Sequence, residues 1–469
     1  MSINRILWLI IGVQFLLVYI LSSSSFTLAN DMIENLLWGR NLDFSSDKHP
    51  PFFGWVSYLS VKLGGGSFIF YKMLTPIHQA FLFLFTFLLA KEILGNEKKA
   101  LLSVIFCSGI IVHIFYTKFN ANSANFGLFS AIYYLFYLTV ARGKAWLFPI
   151  LGVLCGVVML IKYSAIILIG CLWLTIFITK EGRALFKSPF LYLGILAFLL
   201  VLTPYVINLL QSSNYGAFAY LSENSSSLKM RWYELPRLIL MTFVFCIPFL
   251  IAFFKVKDGK FLPKFNFDGI FLLLNAFLPF IATFIYIIVA NAQVGVFWLC
   301  MFFTLFPICA LYFFNTKEDA LKISAKVIFP LMFVIYIFHI LPQLFAPERD
   351  VKQIGSFVKE VAGDANYFIC NDDRNICGTA IIFGTPNFAN VKMTVSKWIN
   401  PFLEVNSSLE KPKKIVIIGK NEEINLPNYE LKEYEKEFPN YFKFKFLENK
   451  LKKKSAKITL TVGSLKEGD

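Results

Sequence analysis

Long apolar runs separated by short charged connections dominate this sequence, and their lengths set the first expectation. Runs at Ile6–Leu21, Phe68–Ala90, Leu101–Tyr116, Asn125–Ala141, Trp146–Ile161, Ser164–Thr179, Pro189–Leu210, Leu238–Phe254, Phe267–Ala290, Val296–Phe314 and Val327–Leu344 come near the roughly 20 residues a helix needs to cross a bilayer. Trp146–Ile161 is the short one. About eleven spans are therefore expected. After about Ala346 the pattern changes. Val351–Val361 is amphipathic at helical spacing, Tyr367–Cys370 and Lys414–Gly419 read as buried strands, and Lys457–Val462 alternates as a final strand. The expected fold is mainly α: a polytopic membrane helix bundle over residues 1–345, followed by a small extracytoplasmic α/β domain over 346–469.

Composition narrows the class. Hydrophobic residues are 57% of the chain and Phe alone numbers 54, which excludes an ordinary soluble enzyme. The net charge of +15 does not imply nucleic acid: no Arg-rich motif, C2H2 spacing or aromatic-interleaved basic strand accompanies it. The basic residues collect in Lys91–Lys99, Arg142–Lys144, Lys180–Lys187, Lys255–Lys264 and Asn315–Lys326, as expected for cytoplasmic loops facing anionic membrane lipids. That places the N-terminus in the cytoplasm, and puts the first loop and the tail together outside. Arg5 precedes the first run and Ser22–Ser25 has no clean small-x-small site, so an uncleaved helix is expected in place of a signal peptide.

The first external loop, residues 23–67, carries the densest chemistry, between Asn30 and Trp55. A helix over Asp31–Arg40 would set Asp31, Glu34 or Asn35, and Trp38 on one face, with Ile33, Leu36 and Leu37 on the other. Such a helix would lie on a membrane surface with its carboxylates in water. Lys48 and His49 stand directly before Pro50-Pro51, whose fixed φ stiffens the turn and aims them.

An Asp, an apolar Trp-containing stretch, Lys/His-Pro-Pro and a Trp in the first external loop resemble the bacterial members of glycosyltransferase family 39. These are relatives of the protein mannosyltransferases and of the aminoarabinose transferases that modify lipid A, and they share the GT-C fold. The resemblance implies an enzyme that takes a sugar from a polyprenyl-phosphate carrier at the outer face of the membrane. The family's leading acidic position falls on Asp31. The acidic residue that often follows is Met32 here, with Glu34 the nearest substitute.

Two further stretches match family motifs. Lys118–Asn125 joins the third and fourth runs, and Asn120 and Asn122 in it read either as helix caps or as substrate contacts. Lys162 and Tyr163 interrupt two apolar runs: on chemistry alone Lys162 suits a snorkelling cation as well as a phosphate contact, and the family motif selects the phosphate. Arg231, in the longer loop Gln211–Arg237, suits acceptor contact without a sharp signature. In the soluble tail, Gly378–Val391 resembles the helix, loop and strand of the family's extracytoplasmic domain. Cys370 and Cys377 are the tail's only cysteines and form either a disulfide or two free thiols. Gly64-Gly65-Gly66 lacks the Lys-Ser/Thr of a phosphate loop and reads as a hinge or tight turn.

The mechanism implied is an inverting displacement. Asp31 acts as base on the acceptor hydroxyl, and Lys48, His49 and Lys162 hold the leaving phosphate. The acceptor is a periplasmic glycan, lipid A or protein. No cofactor and no metal are expected, since the four His show no clustered metal spacing. Two other classes share the spans: a transporter or flippase for lipid-linked glycan, which usually carries mid-bilayer charges and repeat symmetry, and a non-catalytic envelope-assembly protein.

Overall fold

The computed structural model describes residues 2–24, 28–39, 42, 44, 49–115, 117–211, 228–290, 296–345, 348–365, 367–370, 374–384, 392–394, 412–419, 426–441 and 455–466. Among them, seven helices are long and apolar enough to cross a membrane: Ile3–Ser23, Ile69–Leu94, Ala121–Val140, Pro189–Gln211, Tyr233–Val256, Phe267–Val289 and Ala320–Phe345. Ala165–Ile178 and Lys180–Lys187, bent by 87°, count as an eighth if taken as one span.

The remaining expected runs are helical but shorter, each for a local reason. Leu101–Tyr116 splits because the helix Glu97–Ser108 stops at Gly109, whose N–H closes back on Ile105 and Phe106 carbonyls; only the turn Val112–Phe115 follows. Phe148–Met159 begins with Pro149 in its first turn and ends before Lys162. Val296–Leu305 winds as a 3-10 helix for ten residues, far beyond the usual few, and hands over to Phe306–Phe313 at a proline.

Local chemistry sets the turns. Gly95 ends Ile69–Leu94 at φ +60°, where a Cβ would be strained, and Asn96 at once caps the next helix by accepting from Lys98 and Lys99 N–H. Gly65 and Gly66, at φ +60° and +87°, make the turn after Phe52–Leu63. Helices meet closely where small residues allow it: a Cβ on Gly152 would fall 2.0 Å from the Gly194 carbonyl oxygen. Lipid offers no hydrophobic drive between helices, so such close backbone contact supplies the association.

Contacts divide the chain into two compact units. The first contains Met1–Ser22, Phe44–Phe53 and Phe68–His339; the second contains Ser23–Asp43, Gly54–Ser67 and Ile340–Asp469. Parts of the first loop group with the tail. Within the second unit a six-stranded sheet runs in the order β3 (Glu348–Arg349), β7 (Tyr429–Tyr441), β8 (Ser455–Leu465), β6 (Lys414–Ile418), β4 (Tyr367–Cys370), β5 (Lys392–Thr394). β4 is parallel to β5 and β6, and the other pairings are antiparallel.

Period-2 alternation buries both faces of the central strands. Phe368, Val416 and Ile418 meet the helices Val351–Ala362 and Arg374–Gly384 through Ile354, Val358, Ala380 and Ile381. Tyr367, Ile369, Ile415 and Ile417 face the other way, onto Leu426 and Tyr429. A disulfide joins Cys370 at the end of β4 to Cys377 in the following helix. Of Gly378–Val391, the described residues to Gly384 are helical, and 385–391 lie outside the described residues.

Two outcomes follow for this architecture. Gly152→Leu drives a side chain into the Gly194 backbone and is expected to destabilise the protein by about 1–3 kcal/mol, seen as a lower melting temperature in detergent; an unchanged melt would remove this contact from the bundle's support. Alkylation of denatured protein without reductant is expected to modify six of the eight cysteines, and all eight after reduction.

Candidate functional site

In the first unit, the residues singled out from sequence converge on the short turn between Phe148–Met159 and Ala165–Ile178. Phe52 N–H donates to the Leu160 carbonyl at 3.0 Å, so the turn after Pro50-Pro51 is tied to the peptide two residues before Lys162. His49 lies edge-on to Phe53 at 5.6 Å between ring centroids and is half-buried. Lys162 is only 5% exposed. Its ammonium donates to Asn122 Oδ1 and stands 5.0 Å from the centre of the Trp298 ring. A buried cation needs such partners, because the interior solvates charge poorly.

Asn120 and Asn122, two residues apart, have different duties. Asn120 caps Ala121–Val140: its side chain accepts from Asn122 and Ser123 N–H at 3.0 Å each, while the Ser123 hydroxyl accepts from Asn120 N–H at 2.9 Å. This is the reciprocal capping box. Asn122, one turn in, turns its carbonyl oxygen to Lys162. Tyr163 bonds hydroxyl to hydroxyl with Tyr205, and burial followed by that bond holds its phenol protonated, well above its usual range.

In the second unit, the acidic helix spans Asn30–Gly39. Met32, Ile33, Asn35 and Leu36 are buried and Asp31 and Glu34 are half-buried. The apolar face expected on a membrane surface instead packs on the helix Arg374–Gly384: a Cβ on Gly378 would lie 2.8 Å from Ile33 side-chain carbons, and Leu28 N–H donates to Thr379 Oγ1 at 2.9 Å. Gly39 and Gly54 touch backbone to backbone, a Cβ on Gly39 falling 1.9 Å from the Gly54 oxygen. The half-buried carboxylates are thus carried on a helix held from two sides, and in place of the neighbouring acidic position Met32 fills the core.

Lys48 and the Arg231 side chain lie outside the described residues, as does most of Gln211–Arg237. Among the described residues no group of three His, Cys, Asp or Glu is arranged to hold a metal. Sequence reasoning missed Trp298 and Tyr205. Both stand in predominantly apolar runs of spanning length, where an aromatic is ordinarily read as lipid-facing.

Residues 48–207 match the family model described as dolichyl-phosphate-mannose-protein mannosyltransferase. No curated protein matches the chain by sequence. Among solved structures, ArnT from Cupriavidus metallidurans bound to undecaprenyl phosphate is similar at 12% identity and a TM-score of 0.50, covering 83% of this chain and 76% of that one. Its apo form matches at 12% identity and a TM-score of 0.50, over 82% and 75%. The oligosaccharyltransferase of Archaeoglobus fulgidus, solved in complex with Zn and sulfate, matches at 13% identity and a TM-score of 0.51, over 87% and 67%. The chain is therefore a multi-pass membrane protein with the GT-C glycosyltransferase fold. The matched stretch begins at the Lys48-His49-Pro50-Pro51 turn that carried part of the family resemblance, and Asp31 and Trp38 lie before it.

The two readings of Asn120 separate by substitution. Asn120→Ala removes the cap and is expected to cost about 1 kcal/mol. Asn120→Asp or Asn120→Ser keeps a capping oxygen and is expected to restore the melting temperature; if donor use stays impaired in a fully stable Asn120→Ser variant, the residue contacts substrate as well.

Proposed function

We propose that this protein is an inverting membrane glycosyltransferase that moves a sugar from a polyprenyl-phosphate carrier to a periplasmic glycan, lipid A or protein. The observation that carries the reading is Lys162: a buried ammonium at a helix break, positioned by Asn122 and Trp298 and tied through Leu160 to the Pro-Pro turn. An ionisable side chain buried at a helix break of a membrane bundle marks a candidate substrate site. ArnT, similar in fold, was solved with undecaprenyl phosphate, which supports a lipid phosphate as that anion. The matched model's dolichyl-phosphate-mannose donor belongs to the same chemical class.

In this mechanism Lys162, with His49 and Lys48, stabilises the negative charge that grows on the leaving phosphate. Asp31 takes the acceptor hydroxyl's proton as the oxygen attacks the anomeric carbon from the face opposite the carrier. Asn122 fixes the Lys162 ammonium, while the Tyr163 hydroxyl, bonded to that of Tyr205, stays protonated and can donate to the sugar. The working orientation has the N-terminus in the cytoplasm and the second unit in the periplasm of a bacterial inner membrane, after the charge bias of the loops.

The test is transfer from a labelled undecaprenyl-phosphate sugar by membranes containing the protein. Asp31→Asn is expected to lower transfer by roughly 10²–10⁴-fold at unchanged expression, the range of a positioned base. Glu34→Gln is its companion: a larger loss there moves the base one turn along the helix, and no loss in either ends the catalytic reading of this loop. Translocation of the labelled lipid without transfer would mark a transporter. Lys162→Ala is expected to weaken donor use by about 10- to 100-fold, chiefly in apparent affinity, the worth of a hydrogen bond to a charged group. Donor dependence like wild type would leave Lys162 a packing cation.

A further inference from the structure

A second site stands apart from Lys162. The helices Leu228–Val256, Phe267–Ala290 and Phe306–Phe313 leave between them an open apolar cavity of about 660 Å³, walled by Cys246, Phe249, Phe277, Phe306 and Ala310 among others. Neither Lys162 nor its partners Asn122 and Trp298 line it. Its volume lies within the roughly 300–1,000 Å³ of ordinary ligand pockets, but its walls offer almost no polar atom. Such a space recognises hydrocarbon.

One end of the cavity is different. There Phe253, Phe261, Phe313 and Phe314 close the wall, with Phe314 5.2 Å from Phe253 and 5.6 Å from Phe261 between ring centroids. The Lys257 ammonium stands 5.5 Å from the centre of the same Phe314 ring and 5.5 Å from Phe254. Lys264 stands 4.6 Å from Tyr312, the neighbour of wall residue Phe313. A two-residue pairing of β1 (Lys257–Asp258) with β2 (Asn315–Thr316) joins the two loops at this end, and Lys317 donates to the Lys255 carbonyl at 3.0 Å. Lys255 and Lys260 flank them. The acidic groups nearby in sequence are Asp258, Asp268, Glu318 and Asp319, four against the five lysines, and the Asp268 carboxylate is within electrostatic reach of Lys264.

An apolar slot with ammonium groups over its rim aromatics has the two-part chemistry of a phospholipid with a negative headgroup. We propose that this cavity binds an anionic phospholipid, an acyl chain lying among Phe249, Phe277 and Phe306 and the phosphate resting on Lys257 and Lys264, with Lys317 beside them. Juxtamembrane lysines attract anionic lipid, and the aromatic faces hold each ammonium near the slot. A polyprenyl phosphate shares the phosphate but is assigned on this reading to Lys162. The lipid at the basic end is a bilayer component, bound whether or not the protein turns over.

The test uses the full chain in phosphatidylcholine nanodiscs doped with a phosphatidylglycerol bearing a diazirine at its acyl terminus, the cross-links being mapped by mass spectrometry. Labelling is expected on peptides containing Phe277 or Phe306, displaced by unlabelled phosphatidylglycerol and not by phosphatidylcholine. Lys257→Gln and Lys264→Gln are each expected to reduce it by about fivefold, the worth of one lysine against an anionic lipid. Ala310→Trp fills the slot and is expected to abolish labelling; Phe277→Ala, which enlarges it, serves if that variant does not fold and is expected to retain the preference for phosphatidylglycerol. Equal labelling by a phosphatidylcholine probe, or labelling indifferent to both lysine changes, overturns the proposal. Displacement by undecaprenyl phosphate alone also overturns it and gives the cavity to the carrier. Because transfer activity is not the readout, this result stands apart from the fate of the Lys162 reading.

Discussion

The buried charge of Lys162 is the constraint around which the first unit's polar residues are arranged. A charged ammonium withdrawn from water in a membrane bundle is costly unless compensated, and losing one partner of a buried charge costs about 3–5 kcal/mol. Two distant stretches contribute compensation. Asn122 supplies a carbonyl oxygen, Trp298 an aromatic face, and the Lys sits where the backbone between two short helices has already broken. The same break leaves the Leu160 carbonyl open to the Phe52 N–H, which brings the Pro-Pro turn to the site. One unfavourable burial thereby explains why a cap loop, a helix break, a ten-residue 3-10 segment and the Pro-Pro turn belong together.

The second unit follows the rules of water-soluble proteins. Its sheet buries alternate residues on two faces, two helices cover one of them, and a disulfide ties the end of β4 to the helix that follows it. The acidic helix Asn30–Gly39 belongs to this unit because its apolar side finds the helix Arg374–Gly384, and the close approaches at Gly378 and at Gly39 against Gly54 leave no room for side chains.

Much of this was legible beforehand. Run lengths and the change of pattern near Ala346 predict a helical bundle followed by an α/β tail, because the bilayer and the pleat impose periodicities that every residue in a run must satisfy. The Pro-Pro turn with its flanking His, the Lys at a helix break and the paired Asn were visible as polar residues where apolar ones are the rule. Trp298 and Tyr205 were not. In a chain with 54 Phe, one more aromatic within an apolar run carries no signal of which neighbour it will meet.

The sequence alone thus determined what any local pattern can determine: which stretches are apolar helices, which are strands of the α/β tail, and where polar chemistry interrupts them. Only the tertiary structure decided the rest. It split Leu101–Tyr116 at Gly109, and it buried Met32 and Ile33 of the acidic helix in a protein core that a membrane surface would have served equally well by hydrophobicity. It gave Asn120 to a cap and Asn122 to Lys162. The physical reason is common to all three: hydrophobicity and propensity say that a face must be covered or a charge compensated, but the partner is chosen by packing between segments far apart in the chain, which no local period encodes.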